Sequence, residues 1–170
     1  FWGAYNAVCC GQRQMCLVHL LRDLENVEHY RRANQDWPAF AKKLRRLLGD
    51  AIRLWKGDGV PQAEYASKRG RLRLRLQELI EADWQDREVC RLIKRLRRQR
   101  EDLFTFLDIA GVPFDNNHAE RAIRPAVIIR KNSYANRSAR GADTQAVLMS
   151  IYRTLKQRGH HPIQSITQGI

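Results

Sequence analysis

The chain has 170 residues, with 31 Lys and Arg against 18 Asp and Glu, a formal net charge of +13 and an isoelectric point near 10.3. That length suits one domain with a sizeable core, or one domain carrying an insertion, and argues against two full domains. The basic balance points to a polyanionic partner, most often nucleic acid, ahead of the plainer alternative of solvated arginine-rich helices. No run of about 18 apolar residues is present, so nothing is expected to span a membrane.

The start, "FWGAYNAVCCGQRQM", lacks an initiating Met, a basic leading region and a continuous apolar stretch, so it does not read as a signal peptide. It reads as a chain entered part-way through a domain. Cys9, Cys10, Cys16 and Cys90 are too few and too irregular for a secreted disulfide scaffold, and adjacent cysteines rarely bridge one another. A reducing cytoplasm is the expected compartment.

"QMCLVHLLRDLENV" predicts a short buried strand around Met15, Leu17 and Val18 running into a helix at Leu20, Leu21 and Leu24. From Asp36, expected as an N-cap, and Pro38, a second helix carries Phe40, Leu44, Leu47, Leu48, Ala51, Ile52 and Trp55 at helical spacing until "KGDG" stops it. Pro61 opens the next segment. Its "RLRLRL" alternates like a strand, but Leu72, Leu76, Leu79 and Ile80 share one helical face and no turn chemistry brackets the run, so a helix is predicted. A further helix from about Asp86 to Ala110 carries Val89, Leu92, Ile93, Leu96, Leu103, Leu107 and Ala110, with Gly111 and Pro113 ending it and arginines crowding its outer face in "RLIKRLRRQR". Beyond it, "AVIIRKNSY" predicts a strand and "GADTQAVLMSIYRTLKQRG" a helix bearing Val147, Ile151 and Leu155.

Between these lies "DNNHAERAIRP", a loop entering a short helix that Pro125 should end or kink. Ala119, Ala122 and Ile123 form its expected buried side, and Asn117, Glu120 and Arg124 line up opposite. Two roles are open for Glu120. With Asn117 as N-cap it completes a capping box and pairs with Arg124 four residues on. Alternatively its carboxylate carries chemistry.

The stretch from Val112 to Pro162 resembles the end of the catalytic domain of transposases of the insertion-sequence-66 family. The matching positions are Asp115, Asn116, Asn117, Ala119, Glu120 and Arg121, then Arg130, Lys131 and Asn132, Gly141 and Ala142, and the helix bearing Ser150 and Thr154. "GAYNAV" and "CLVHLLRDL" resemble the segment that follows the second catalytic aspartate of that family, including its Cys-x-x-His pair, here Cys16 and His19. Taken alone that pair is a weak zinc signal, since no second ligand pair follows at finger spacing.

The resemblance implies a fold that is mainly α with a few short strands: an incomplete α/β ribonuclease-H-like core carrying an all-helical insertion. Residues 1–34 would be core following the second catalytic aspartate, 35–110 the insertion, and 111–170 the return to the core with the glutamate helix and a carboxy-terminal helix. It implies metal-dependent phosphodiester cleavage and strand transfer at transposon ends by an Asp, Asp, Glu triad holding Mg2+ or Mn2+. Glu120 is the implied catalytic residue and metal ligand. Arg121, Arg124, Arg130 and Lys131 are implied DNA contacts, and His19, Asn116 and Asn117 are site neighbours. Double-stranded DNA, at transposon ends and at the target, is the implied partner of a homo-oligomeric complete enzyme. Both family aspartates would precede Phe1, and neither Asp23, Asp108 nor Asp115 stands at a motif position for the missing ligands, so this stretch alone is expected to be inactive. The reading from another class is a non-catalytic basic helical module that binds nucleic acid, as a transposase remnant would.

Overall fold

Apolar residues recurring every three or four positions become helices throughout the computed structural model, which describes residues 11–30, 36–57, 59–133 and 136–169. The helices are α1 (Leu17–Tyr30), α2 (Asp36–Lys56), α3 (Gln62–Glu81), α4 (Arg87–Gln99), α5 (Asn117–Ser133), α6 (Ala139–Gln157) and α7 (Pro162–Gln168). Among the described residues there is no strand, so the fold is mainly α and both short strands expected from the sequence are absent. "FWGAYNAV", Cys9 and Cys10 lie outside the described residues. The chain divides into two units, Phe1–Asn116 and Asn117–Ile170.

The first unit is built around α2. Its stripe of Phe40, Ala41, Leu44, Leu47, Leu48, Ala51 and Leu54 is buried against Leu72, Leu76, Leu79 and Ile80 of α3 and Val89, Leu92, Ile93 and Leu96 of α4. Leu17, Leu20, Leu24 and Val27 of α1 join the same core. The "RLRLRL" run resolves as the helical spacing predicted: Leu72 and Leu76 are buried, whereas Leu74, which a strand would put on the same face, is 64% exposed. Lys56 ends α2, and Gly59 turns the chain at φ +75°, where a side chain would be strained. Asp36 is the first residue of α2 and serves a distant partner. Its Oδ2 accepts from the backbone N–H groups of Gln85 (2.7 Å) and Asp86 (3.2 Å), fastening the start of α2 to the entry of α4. Asp86 in turn caps α4, its Oδ1 accepting from Glu88 N–H (2.8 Å) and Val89 N–H (3.0 Å).

Two expectations change in this unit. The helix predicted from Asp86 to Ala110 stops at Gln99, and a 3-10 turn at Thr105–Leu107 follows. Breaking the helix lets Leu103, Phe104, Phe106 and Leu107 all face the core; a continuous helix would have put Phe104 and Phe106 on opposite flanks of the stripe, each about 80° from its centre. Ala110 is exposed. The segment before α1 is no strand because its outward hydrogen bonds go to different places. Met15 N–H bonds Asp102 O (2.9 Å) and Leu17 N–H bonds Phe114 O (2.9 Å), so no ladder forms.

The second unit differs in kind. No described residue of it is buried, and Ile123, Ile128, Ile129, Val147, Leu148 and Ile151 are large apolar side chains at its surface. The strand expected at "AVIIRKNSY" is instead the second half of α5, with Tyr134 outside the described residues. Ala119, Ala122 and Ile123, expected as a buried side, are exposed or half-exposed. Helix α6 matches the prediction in span, capped by Ser138, whose Oγ accepts from Gly141 N–H (3.1 Å). It ends at Gly159 (φ +78°), with Gly159 N–H bonding Lys156 O (3.2 Å) and His160 N–H bonding Leu155 O (3.0 Å), the paired bonds of a Schellman close. The short α7 was not legible as a helix.

The register of α3 sets a direct test. Leu76→Ala should lower the unfolding free energy by about 2–5 kcal/mol through lost burial and a residual cavity, while Leu74→Ala should stay within about 0.5 kcal/mol of the parent. Urea unfolding of the three proteins measures both, and equal losses would place the segment in another register.

Candidate active site

Helix α5 carries the residues singled out by the "DNNHAER" stretch. It begins at Asn117, which puts Glu120 in its first turn, where the helix dipole favours a negative charge. Glu120 is half-buried, and Arg121, Arg124, Arg130 and Lys131 are all exposed. Because α5 runs on to Ser133, all four cations share one helix with Glu120. At about 100° per residue, Asn117, Glu120, Arg124 and Lys131 fall on one face, with Lys131 about 16 Å beyond Glu120 along the axis, whereas Arg130 is turned about 80° away from Glu120. The motif therefore projects as a carboxylate followed by a basic stripe.

The continuity of α5 needs explaining, since Pro125 lies inside it. Proline has no N–H to offer the carbonyl four residues back, here that of Arg121, and its ring crowds that turn. A guanidinium from α6 occupies the gap. Arg153 Nη2 donates to Arg121 O (3.2 Å) and also to Ala122 O. Sequence reasoning missed Arg153, and the only available signal was an arginine in α6 that no predicted partner accounted for. The motif glycine, Gly141, sits at the Ser138 cap, where a Cβ would stand 3.3 Å from Ser138 Oγ. Ser150 and Thr154 are exposed one turn apart on α6.

The other predicted site residues fall in the first unit. Asn116 is half-buried at its end, and His19 is half-buried in α1, one turn after the buried thiol of Cys16. Thus Asn117 and Glu120 belong to one unit, and Asn116 and His19 to the other. Two of the aspartates considered as substitute ligands have structural partners: Asp23 pairs with Arg95 (2.6 Å), and Asp108 pairs with Arg69 (3.0 Å) and Arg73 (2.5 Å). Asp115 is half-buried ahead of α5. Among the described residues no group of three His, Cys, Asp or Glu is placed to hold a metal ion. The residues present therefore do not by themselves fit a divalent metal, and Glu120 would be one ligand of an otherwise incomplete set. Among the described residues, too, no helix is long and apolar enough to cross a membrane.

These features meet a matching family model, "Transposase IS66 family", over residues 1–144. The chain belongs to this family of transposases. It is also similar to an uncharacterized protein, y4qI, of Sinorhizobium fredii, at 29% identity over 127 residues, which are 68% of this chain and 24% of that protein. The chain thus spans about a quarter of the length of the curated relative it matches. No solved structure matches.

The proline gap yields a double-mutant cycle. Arg153→Ala should cost about 1 kcal/mol by leaving the Arg121 carbonyl without a donor. In a Pro125→Ala background the loss should shrink, because the backbone N–H that alanine restores can bond that carbonyl itself. Helical circular dichroism followed through thermal unfolding reports both values; identical losses in the two backgrounds would mean that Arg153 does not compensate for the proline.

Proposed function

We propose that this chain is the part of a DDE-type DNA transposase that carries the third catalytic carboxylate, Glu120, together with much of the DNA-binding surface. The observation that carries the reading is the position of Glu120 in the first turn of α5, followed on the same face by Arg124 and Lys131 and inside the span that the family model matches, residues 1–144. On this reading Glu120 supplies one ligand to a Mg2+ or Mn2+ site whose other carboxylates lie elsewhere in a longer protein. Arg121, Arg124, Arg130 and Lys131 hold DNA phosphates, Asn116 and Asn117 orient the glutamate, and His19 is a neighbour.

The same reading makes residues 1–34 and 111–170 parts of a ribonuclease-H-like core, with 35–110 inserted as a helical module. Support comes from the second unit, which buries none of its described residues and exposes Ile128, Ile129, Val147, Leu148 and Ile151. So much apolar surface suits elements that pack on more protein, here the aspartate-bearing part of the core. The partners are double-stranded DNA at transposon ends and target, and further copies of the enzyme.

Charge separates the two roles open to Glu120. A glutamine keeps a side-chain acceptor, so as a capping residue Glu120→Gln should cost a few tenths to about 1 kcal/mol of stability and spare activity. A metal ligand needs the anion. In a transposase that includes both family aspartates, Glu120→Gln is expected to abolish metal-dependent cleavage and joining of transposon-end DNA, with melting and DNA binding nearly unchanged. If the glutamine variant cleaves as its parent does, Glu120 is a helix-terminal acid and the chain is better read as a non-catalytic nucleic-acid-binding module.

A further inference from the structure

The basic cluster most evident in the sequence, "RLIKRLRRQR", is partly engaged in holding the fold. Arg95 pairs with Asp23 (2.6 Å) across to α1, and Arg97 Nη2 donates to Ile80 O (3.1 Å) at the end of α3. A second concentration of charge arises only when α2 and α3 pack side by side. Between them runs a groove of about 820 Å³ whose walls carry Lys43, Arg46 and Arg53 from α2 and Lys68, Arg71 and Arg75 from α3. Leu47, Leu54, Leu72 and Leu79 contribute its apolar lining.

Among the described residues two carboxylates, Asp50 and Glu78, line the groove against those six cations, and Glu64 beside it pairs with Lys68 (2.7 Å). Asp50 is already engaged, accepting from Arg75 Nη1 at 2.7 Å and from Arg53. Partial burial works against its ionisation, but the hydrogen bonds from Arg75 and then Arg53 outweigh that and hold its carboxyl below the usual range. Asp50 therefore stays ionised near neutral pH and positions two guanidinium groups along the groove. Arg46 and Arg71, one from each wall, are both exposed. Crowding like charges into one concavity raises the free energy of the folded unit by self-repulsion, which a bound polyanion relieves.

We infer that the α2–α3 groove is a binding site for the phosphodiester backbone of duplex DNA, contacted without regard to base sequence. The dimensions suit this ligand. From Lys43 to Arg53 the α2 wall runs about 15 Å at about 1.5 Å per residue, enough to face about four phosphates of one strand at about 3.4 Å of helix axis each. Arginine and lysine side chains here meet phosphate oxygens rather than base edges, so they set position and affinity but carry no sequence information. The site rests on the proposal that the chain binds DNA, and it places that contact on the helical module, away from Glu120 in sequence.

The test uses the present chain and a labelled duplex of arbitrary sequence, titrated at several salt concentrations. The parent should bind with affinity that falls steeply as salt rises. Arg46→Gln with Arg71→Gln should weaken binding at least tenfold at low salt and reduce the slope of log affinity against log salt by about 1.8, or about 0.9 for each phosphate no longer neutralised. Lys94→Gln with Arg98→Gln on the exposed face of α4 removes the same net charge outside the groove and should leave the slope nearly as in the parent. Neither variant should melt below the parent, and Arg46→Gln with Arg71→Gln should melt at or slightly above it as the self-repulsion is relieved. Equal weakening by the two pairs, or no weakening by Arg46→Gln with Arg71→Gln, overturns the groove while leaving DNA binding by the chain intact. Failure of the parent itself to bind removes both the groove and the DNA-binding part of the proposed function.

Discussion

Closure of the first unit depends on a few hydrogen bonds between stretches about ninety residues apart. Gln14 places its side-chain amide against the 3-10 region, Nε2 donating to Leu103 O (3.0 Å) and Oε1 accepting from Phe106 N–H (2.7 Å). Thr105 Oγ1 donates to Arg13 O (2.6 Å), and the backbone N–H groups of Met15 and Leu17 reach Asp102 and Phe114. Each bond satisfies a polar group that the adjacent core would otherwise leave without water, so the entry to α1 and the exit from α4 are held together. Phe104 and Phe106 can then pack at 6.3 Å between ring centroids, and Trp55 and Phe114 meet edge-on at 5.4 Å.

The arginine-rich composition divides into two populations. One part holds helices to each other: Arg45 bonds both oxygens of Glu28 (2.7 and 2.6 Å), Arg95 pairs with Asp23, and Arg69 and Arg73 share Asp108. The hydrogen bond from Arg45 lowers the Glu28 carboxyl below its ordinary range, and the reciprocal bond raises the Arg45 guanidinium. Exposed pairs of this kind contribute little each, and their value lies in register and orientation. The other part, including Arg46, Arg71, Arg124 and Lys131, is exposed to solvent, and a polyanion would meet it. Net charge alone could not separate these populations, because partner choice depends on which helices lie side by side.

Helix α5 joins the motif to a structural problem of its own making. Pro125 would normally interrupt a helix, yet the chain stays helical through it, with Arg153 of α6 bonded to the orphaned Arg121 carbonyl. That continuity puts Lys131 on the face of Glu120. It also leaves Ile128 and Ile129 on an exposed helix surface where a strand was expected.

What depends on neighbours along the chain could be read from residue order. Helical spacing located α2 and α3, the Asp86 start of α4 and the Gly159 end of α6, and the residues from Asp115 to Ala142 carried the family assignment. The class "mainly α" was equally legible, since the apolar stripes of α2, α3 and α4 repeat at helical spacing. Contacts between distant segments set the rest. A strand was a sound local reading at Met15 and at Ala126–Tyr134, because β-branched and apolar runs suit either state when a partner is unknown. Met15 found two separate hydrogen-bond partners instead of a ladder, and Ala126 to Ser133 continued α5 past a proline whose missing donor is offset from α6. The role of Asp36 at the start of α4, the break after Gln99 that buries Phe104 and Phe106, and the cationic groove between α2 and α3 share one cause. Each is a relation between side chains brought together only by packing, and no periodicity within one segment encodes it.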